Sequence, residues 1–109
     1  MKRILVTGST GCIGSATVQY LLRQGVERVY GYNRTAPKIT VSDQFEHLSG
    51  DIKDINRIRD VLQEVQPHSI IHLAALQTPD CQSNPFRGMD VNLVSTANLF
   101  KVVAEARGA

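Results

Sequence analysis

Two observations on the chain predict an α/β domain in which helices cover both faces of a parallel sheet. Short apolar segments alternate with longer amphipathic ones along the 109 residues, as expected when helical crossovers join parallel strands. The first apolar segment runs into Thr7–Gly14, a turn with glycines spaced three apart, and a helical pattern follows at once. This order predicts a phosphate-binding site, because the first amides of a helix have no partner within it. Without the flanking elements, the glycines would be equally compatible with a flexible turn.

Length and composition exclude several classes of protein. The chain has 42% hydrophobic and 20% charged residues, which is typical of a soluble globular protein of one domain. Its formal net charge of +2 is too small, and its basic residues are too scattered, to indicate a nucleic-acid partner. The apolar run after Met1–Arg3 is too short for a signal peptide or a membrane segment. We therefore expect a cytoplasmic protein without a membrane partner.

The first half of the chain is predicted to contain three strands and one helix. A strand that is apolar at every position is expected where a parallel sheet is covered on both faces. Gly25 is suited to end the helix. The predicted elements are a strand at Ile4–Val6, a helix over residues 11–24 with Val18, Leu21 and Leu22 inward, a strand at Arg28–Tyr32, a loop over residues 33–44 and a strand at Phe45–Leu48.

The second half is predicted to contain two helices and one strand. Asp54 precedes an apolar stripe at helical spacing, and its carboxylate is suited to cap the first turn of that helix. Pro67 ends the stripe. The predicted elements are this helix with Ile55, Ile58, Val61, Leu62 and Val65 inward, a strand at Ser69–Ala75, a loop over residues 76–86, and a helix over residues 87–107 with Leu93, Ala97, Phe100, Val103 and Ala104 inward.

These elements predict a Rossmann-like, doubly wound sheet with strand order 3-2-1-4. In such a sheet the glycine turn lies beside the crevice between strands 1 and 4, where the strand order reverses and dinucleotides bind. The remaining chemistry-bearing residues are sparse. Cys12 and Cys81 are expected to be unrelated reduced thiols, and no histidine has a partner at metal-ligand spacing, so we predict no metal site.

Four short motifs follow one another in a recognisable order. Thr7–Gly14 reads TGSTGCIG, Gly50–Asp54 reads GDIKD, His72–Ala75 reads HLAA and Asp90–Leu99 reads DVNLVSTANL. In these motifs the chain resembles the N-terminal part of the extended short-chain dehydrogenases/reductases, the NAD-dependent epimerase/dehydratase family, with Ser95 where glycine is usual. The resemblance covers essentially the whole chain. It implies an NAD(P)-binding Rossmann domain over residues 1–109 that is incomplete, lacking later strands and a substrate domain.

The resemblance also implies which residues contact the cofactor. Asp51 would accept a hydrogen bond from the adenine amino group while Ile52 packs on the ring, although Asp51 is also interpretable as a turn residue. The small residues after His72 would let the backbone approach the nicotinamide ribose, or would simply permit close packing. His72 itself is expected to be structural, and Asn92 to support the active site. The implied cofactor-binding residues are Gly8, Thr10, Gly11, Cys12, Ile13, Gly14, Asn33, Arg34, Asp51, Ile52, Leu73, Ala74 and Ala75.

The end of the second strand bears on the choice between NAD and NADP. A carboxylate here would bind the adenosine ribose hydroxyls and favour NAD. The chain has Asn33 instead, which does not repel a 2′-phosphate, and Arg34, whose guanidinium can bind that phosphate bidentately. We expect NAD or NADP and favour NADP, while Arg34 is also interpretable as a solvated loop charge.

The catalytic dyad of the family, Tyr-x-x-x-Lys, is missing from the chain. Its tyrosine acts as general acid and base, and its lysine lowers the pKa of that tyrosine and holds the nicotinamide ribose. None of Tyr20, Tyr30 and Tyr32 has a lysine four positions later. We therefore assign no catalytic residue in this chain, which resembles the first half of a family member.

Three functions remain open from the sequence. The resemblance implies a parent oxidoreductase, epimerase or dehydratase that transfers hydride to or from a nucleotide-sugar-like or related hydroxyl or carbonyl substrate. The alternatives are a non-catalytic dinucleotide-binding module and an inactive truncation. Residues 77–86 are expected to line the substrate entrance. Because the fourth strand would form an exposed edge of a truncated sheet, we also expect marginal stability and self-association through that strand.

Overall fold

The computed structural model confirms the predicted parallel sheet and its strand order. It describes residues 2–37, 42–74 and 83–106. The strands are β1 (Arg3–Thr7), β2 (Arg28–Asn33), β3 (Phe45–Ser49) and β4 (Ser69–His72). The helices are α1 (Cys12–Arg23), α2 (Ile55–Val65), α3 (Pro85–Met89) and α4 (Ser95–Ala106). All strand pairs are parallel, and the order across the sheet is β3-β2-β1-β4.

Different helices bury the two faces of the sheet. On one face, the predicted inner residues of α1 pack against alternate residues of β1 and β2, as the period of two along a strand requires. On the other face, α2 and α4 pack against the intervening residues. The first cluster contains Ile4, Val6, Val18 and Val29, and the second contains Leu5, Tyr32, Leu48, Ile58, Val61, Leu62, Val65, Leu99 and Val102.

The ends of the first two helices follow the predicted signals. Gly25, with φ of +77°, follows the last residues of α1, where a side chain would strain the backbone. Asp54 precedes α2, and its carboxylate accepts the amide of Arg57 at 3.1 Å. The capping role predicted for Asp54 is therefore confirmed.

All four strands differ from the prediction at one end or both, by one residue in β1, β2 and β3 and by more in β4. β2 continues through Asn33, which pairs with Ser49, so the polar loop begins one residue later than expected. β4 ends at His72, before the predicted end at Ala75. The amides of Leu73 and Ala74 bind the Thr7 hydroxyl oxygen at 3.0 and 3.2 Å, which turns the chain out of the strand.

The last helical region is not the single helix that the sequence predicts, and four of its five predicted inner residues are exposed. Helix α3 begins at Pro85, inside the predicted loop, where proline suits the first turn. The π-helical segment Asp90–Val94 then separates α3 from α4. A π turn adds a residue to the repeat and shifts the faces of the helix around its axis. Among the described residues of this region, the buried ones are Gly88, Val91, Ser95, Leu99 and Val102, whereas Leu93, Ala97, Phe100 and Ala104 are exposed and Val103 is half-buried against the core.

Candidate nucleotide-binding site

The glycine turn joins β1 to α1 at the carboxyl edge of the sheet. Gly8 has φ of +72°, and a Cβ there would lie 2.8 Å from the amide nitrogen of Ala74. A Cβ at Gly14 would lie 1.9 Å from the Gly8 carbonyl oxygen, so α1 packs directly on the turn. A Cβ at Gly11 would instead meet no atom nearer than that oxygen at 3.5 Å. The fold thus requires glycine at positions 8 and 14, while the space beside Gly11 is open to a ligand.

A cleft of about 750 Å³ opens in front of this turn. Its volume is in the range of small-molecule sites, and it lies beside the point where the order of the strands reverses. The segments that follow all four strands contribute to its wall. Twelve of the thirteen predicted cofactor-binding residues line it, namely Gly8, Thr10, Gly11, Cys12, Ile13, Gly14, Asn33, Arg34, Asp51, Ile52, Leu73 and Ala74.

Two predicted site residues are not among the described residues that line this wall. Ala75 lies outside the residues that the structure describes, as do residues 77–82 of the predicted substrate entrance. Asn92 lies in the π-helical segment and is exposed, and its carbonyl accepts the Thr96 hydroxyl at 2.9 Å. The supporting role assigned to Asn92 therefore remains a prediction.

Sequence reasoning missed five residues that also line the cleft. Lys53 lies within the GDIKD motif and could have been inferred from it, as could Gly50. Arg87 on α3 and Val91 on the π-helical segment line the same cleft as the glycine turn, and no local pattern in the sequence indicates this. Tyr32 is the fifth; it is 2% exposed and lies beneath the segment after β3.

The segment after β3 forms a tight turn at one end of the cleft. The Asp51 carboxylate accepts the amide of Lys53 at 2.9 Å through Oδ1, so Asp51 does serve as a turn residue. Within the described part of the chain, Oδ2 makes no hydrogen bond, which leaves an acceptor for a ligand. Ile52 packs against the core and also lines the cleft. The two interpretations of Asp51 are thus compatible.

The end of β2 presents amide and guanidinium groups to the cleft. The Asn33 side-chain amide donates to the Thr10 hydroxyl and to the Thr35 carbonyl, the latter at 3.2 Å, so it joins the glycine turn to the loop after β2. Arg34 is exposed and lines the cleft. Among the described residues of the wall, the charged ones are Arg34, Lys53 and Arg87, which are basic, and Asp51, which is acidic. This excess of positive charge favours an anionic ligand.

His72 connects β1, β4 and α4 through a chain of hydrogen bonds. Its Nδ1 lies 2.6 Å from the Thr7 hydroxyl, and its Nε2 lies 2.9 Å from the Thr96 hydroxyl. Because the Thr7 oxygen already accepts the amides of Leu73 and Ala74, its proton is donated to Nδ1. Nε2–H therefore donates to Thr96, which in turn donates to a backbone carbonyl. His72 is neutral and structural, and it fixes the backbone at the end of β4.

We predict that the protein loses stability as the pH falls below about 6.5, the usual pKa of histidine. Burial lowers the pKa of His72, and also that of His47, so the unfolded chain takes up protons at a higher pH than the folded one. The free energy of unfolding should therefore fall more steeply in the wild type than in His72→Gln between about pH 7.5 and about pH 5.5. Urea unfolding at each pH measures this difference. Equal slopes would contradict the prediction.

Comparison with known proteins assigns the family. Residues 4–109 match the NAD dependent epimerase/dehydratase family. The chain belongs to this family. Among its curated relatives is methionine adenosyltransferase 2 subunit beta of Bos taurus, which is 31% identical over 105 residues, with 94% of this chain and 29% of the relative covered. The chain spans between 29% and 33% of the length of the curated relatives it matches.

Solved structures of two enzymes share the fold over nearly the whole chain. L-threonine dehydrogenase from Clostridium difficile superposes with a TM-score of 0.86 and 28% identity, covering 98% of this chain and 34% of that enzyme. UDP-glucose 4-epimerase from Thermus thermophilus, in complex with NAD, superposes with a TM-score of 0.85 and 28% identity, covering 95% of this chain and 34% of that enzyme. The Rossmann-like fold class is thereby confirmed.

Other kinds of site have little support in residues 2–37, 42–74 and 83–106. Within these ranges no group of three or more histidine, cysteine or acidic side chains could hold a metal ion. None of the helices described there is long and apolar enough to cross a membrane. Cys12 is a free, exposed thiol, while Cys81 lies outside the described ranges.

Proposed function

We propose that the chain is the NAD(P)-binding portion of an enzyme that transfers hydride between the dinucleotide and a hydroxyl or carbonyl substrate. The observation that carries this proposal is the open space beside Gly11, at the start of a helix and in a cleft at the reversal of strand order. A nucleotide-sugar-like substrate is favoured because a structurally similar enzyme is a UDP-glucose 4-epimerase. The threonine dehydrogenase among the similar structures indicates that other hydroxyl substrates fit the same fold.

The residues of the cleft fit the parts of a dinucleotide. The first intrahelical bond of α1 is donated by Ser15 to the Gly11 carbonyl at 2.8 Å, so the preceding amides of Cys12, Ile13 and Gly14 are available to a pyrophosphate. The helix dipole adds partial positive charge at this end. We assign the pyrophosphate to these amides.

The two ends of the cofactor are assigned to the two sides of the glycine turn. Asp51 and Ile52 would hold the adenine ring, one by a hydrogen bond to its amino group and the other by packing. Leu73 and Ala74, followed by Ala75, would lie beside the nicotinamide ribose. The bound nicotinamide supplies the hydride chemistry, while this chain holds and orients it. Asn92 would support that end.

Acid and base catalysis would require residues outside this chain. No tyrosine of the chain is followed four residues later by lysine, so the proton-transfer pair of the full-length protein would come from another segment. We therefore propose residues 1–109 as a cofactor-binding unit and not as a complete catalyst. A longer reading frame that encodes Tyr-x-x-x-Lys, with dehydrogenase or epimerase activity of the full-length protein, would support this proposal. A full-length protein that binds NAD(P) but has neither the Tyr-x-x-x-Lys motif nor dehydrogenase or epimerase activity would contradict the proposal.

NADP is the cofactor that we favour over NAD. At the end of β2, the side chain of Asn33 is neutral and Arg34 lies exposed on the wall of the cleft. A carboxylate, which would repel a 2′-phosphate, is absent from both of these positions. The guanidinium of Arg34 would bind that phosphate, in which case Arg34 is not merely a solvated loop charge.

Replacing Arg34 with alanine should weaken the binding of NADPH about tenfold, because a charge-assisted hydrogen bond to the phosphate is lost. The affinity for NADH should not change, since NADH lacks the 2′-phosphate. Fluorescence titration of both cofactors measures the two dissociation constants. Arg23→Ala, at the far end of α1, is the matched control. Equal losses for both cofactors, or no loss for NADPH, would rule out this role of Arg34.

A non-catalytic dinucleotide-binding module is the second candidate function. It is favoured by the similarity to methionine adenosyltransferase 2 subunit beta, whose name describes a subunit of another enzyme. A module and an enzyme would both bind NAD(P)H, whereas an inactive truncation would not. Fluorescence titration therefore separates the truncation from the other two candidates. Turnover by the full-length protein separates the enzyme from the module.

Self-association through β4 is a further proposal about partners. In the described part of the sheet, β4 pairs only with β1, so its other edge has no neighbouring strand there, and its residues Ile70 and Ile71 are half-buried. Such an edge can pair with another strand. Light scattering should show a molecular mass that rises with concentration, whereas a constant monomer mass would contradict the proposal. We also propose a cytoplasmic location, which fractionation of cells can test.

A further inference from the structure

Tyr32 lies directly beneath the segment that follows β3. Its side chain is 2% exposed, and its hydroxyl donates to the Asp51 carbonyl at 2.7 Å. The same carbonyl accepts the amide of Asp54 at 3.0 Å. A Cβ at Gly50 would lie 2.2 Å from the Tyr32 hydroxyl oxygen, so the ring and the Gly50 backbone are in direct contact. The tyrosine therefore supports both residues that begin the segment.

The Asp51 side chain is held at the same time. Its Oδ1 accepts the Lys53 amide at 2.9 Å, which fixes the orientation of the carboxylate relative to the backbone. The position of that backbone depends on the hydroxyl of Tyr32 and on the Asp54 amide. Within residues 42–74, no other hydrogen bond to the Asp51 carbonyl is present. Among the described residues, removing the Tyr32 hydroxyl would leave the Asp54 amide as the remaining donor to the Asp51 carbonyl.

The hydroxyl of Tyr32 is a permanent donor. Burial, followed by the nearby Asp54 carboxylate, raises the pKa of Tyr32 to about 12, against a smaller opposing effect of Arg57. The group stays protonated over the range in which proteins are folded, so its bond to the Asp51 carbonyl does not switch with pH. Tyr32 is not placed to act as an acid or base on a substrate, because its proton is already committed to this carbonyl.

We propose that Tyr32 is a positioning residue that holds Asp51 where its free carboxylate oxygen accepts the amino group of adenine. Tyr32 thereby sets the selectivity of the cleft for adenine over a base that lacks this group. The inference rests on the proposed function, in which Asp51 contacts adenine. It adds a residue in the core of the sheet to the determinants of base recognition.

The test compares NADH with its hypoxanthine analogue, in which an oxygen replaces the adenine amino group. Wild-type protein should bind NADH about tenfold more tightly than the analogue, because the hydrogen bond to a charged acceptor is lost. In Tyr32→Phe, which keeps the ring and removes the hydroxyl, this ratio should fall toward one. Tyr20→Phe is the matched control, because Tyr20 is exposed on α1 at 60%. Fluorescence titration gives all the dissociation constants.

If Tyr32 only stabilised the fold, Tyr32→Phe would weaken the binding of NADH and of the analogue by the same factor. If Tyr32→Phe binds NADH and the analogue with the wild-type ratio, the inference is wrong, whatever the change in absolute affinity. Asp51→Ala distinguishes this failure from that of the proposed function. If Asp51→Ala abolishes the ratio and Tyr32→Phe retains it, only the inference about Tyr32 fails. If Asp51→Ala also retains the ratio, the adenine contact of the proposed function fails as well.

Discussion

Replacing Gly14 with alanine will leave the protein largely unfolded. The new Cβ would lie 1.9 Å from the Gly8 carbonyl oxygen and 2.8 Å from the Gly8 carbonyl carbon, and backbone atoms cannot rotate away as side chains do. Relieving this contact requires α1 to move off the glycine turn and off the cluster around Val18. We expect a loss of about 4 kcal/mol or more, which is a large part of the stability of a small domain. Urea unfolding followed by circular dichroism measures it.

Gly11→Ala provides the matched control for this effect. It adds the same methyl group three residues away, where the nearest atom is 3.5 Å distant and the φ of −71° suits any residue. We expect its free energy of unfolding to lie within about 1 kcal/mol of the wild type. If Gly14→Ala were as stable as Gly11→Ala, α1 would not pack directly on the glycine turn at Gly14, which would contradict the prediction.

Replacing Gly11 with leucine will abolish dinucleotide binding without unfolding the protein. A leucine side chain would extend into the open space beside the first amides of α1, where we place the pyrophosphate. Losing those contacts should weaken binding about a hundredfold or more, which corresponds to about 3 kcal/mol. Titration with NADPH measures the loss, and circular dichroism shows whether the fold is retained.

Gly25→Ala is the control for this binding experiment. Gly25 follows the opposite end of α1, with φ of +77° and no atom within 4 Å of an added Cβ. Its replacement should cost about 1 kcal/mol of stability through backbone strain while leaving the affinity for NADPH unchanged. Wild-type affinity in Gly11→Leu would mean that the pyrophosphate does not lie at this turn.

The features that the sequence predicted correctly depend on local patterns. The strands β1 and β4 contain short apolar runs that are visible in the chain itself, β2 is rich in aromatic and β-branched residues, and β3 has the weakest pattern of the four. The cap at Asp54 and the glycine at position 25 act on their immediate neighbours, so their effects could be inferred from spacing alone. The order of the strands followed from the alternation of elements and from the handedness of crossovers.

The features that the sequence did not predict depend on contacts between distant segments of the chain. The π-helical segment Asp90–Val94 changes which residues of the last helix face the sheet, and no residue within the segment indicates a π turn. Leu93 and Phe100 are large and apolar, which favours them as core residues, yet both are exposed and the small residue Ser95 is buried. The sequence places Tyr32 in the second strand, without a lysine four positions later, but does not indicate its bond to the Asp51 carbonyl, because that bond crosses from β2 to the segment after β3.

The most direct test of the account uses Cys12, whose free, exposed thiol lies on the wall of the cleft in the first turn of α1. Iodoacetamide alkylation can be followed for the peptide that contains Cys12 by mass spectrometry, with and without saturating NADPH. If the pyrophosphate lies on the amides of this turn, bound cofactor should slow the modification of Cys12 about tenfold or more. Modification of Cys12 at the same rate with and without NADPH would contradict a dinucleotide site at the glycine turn.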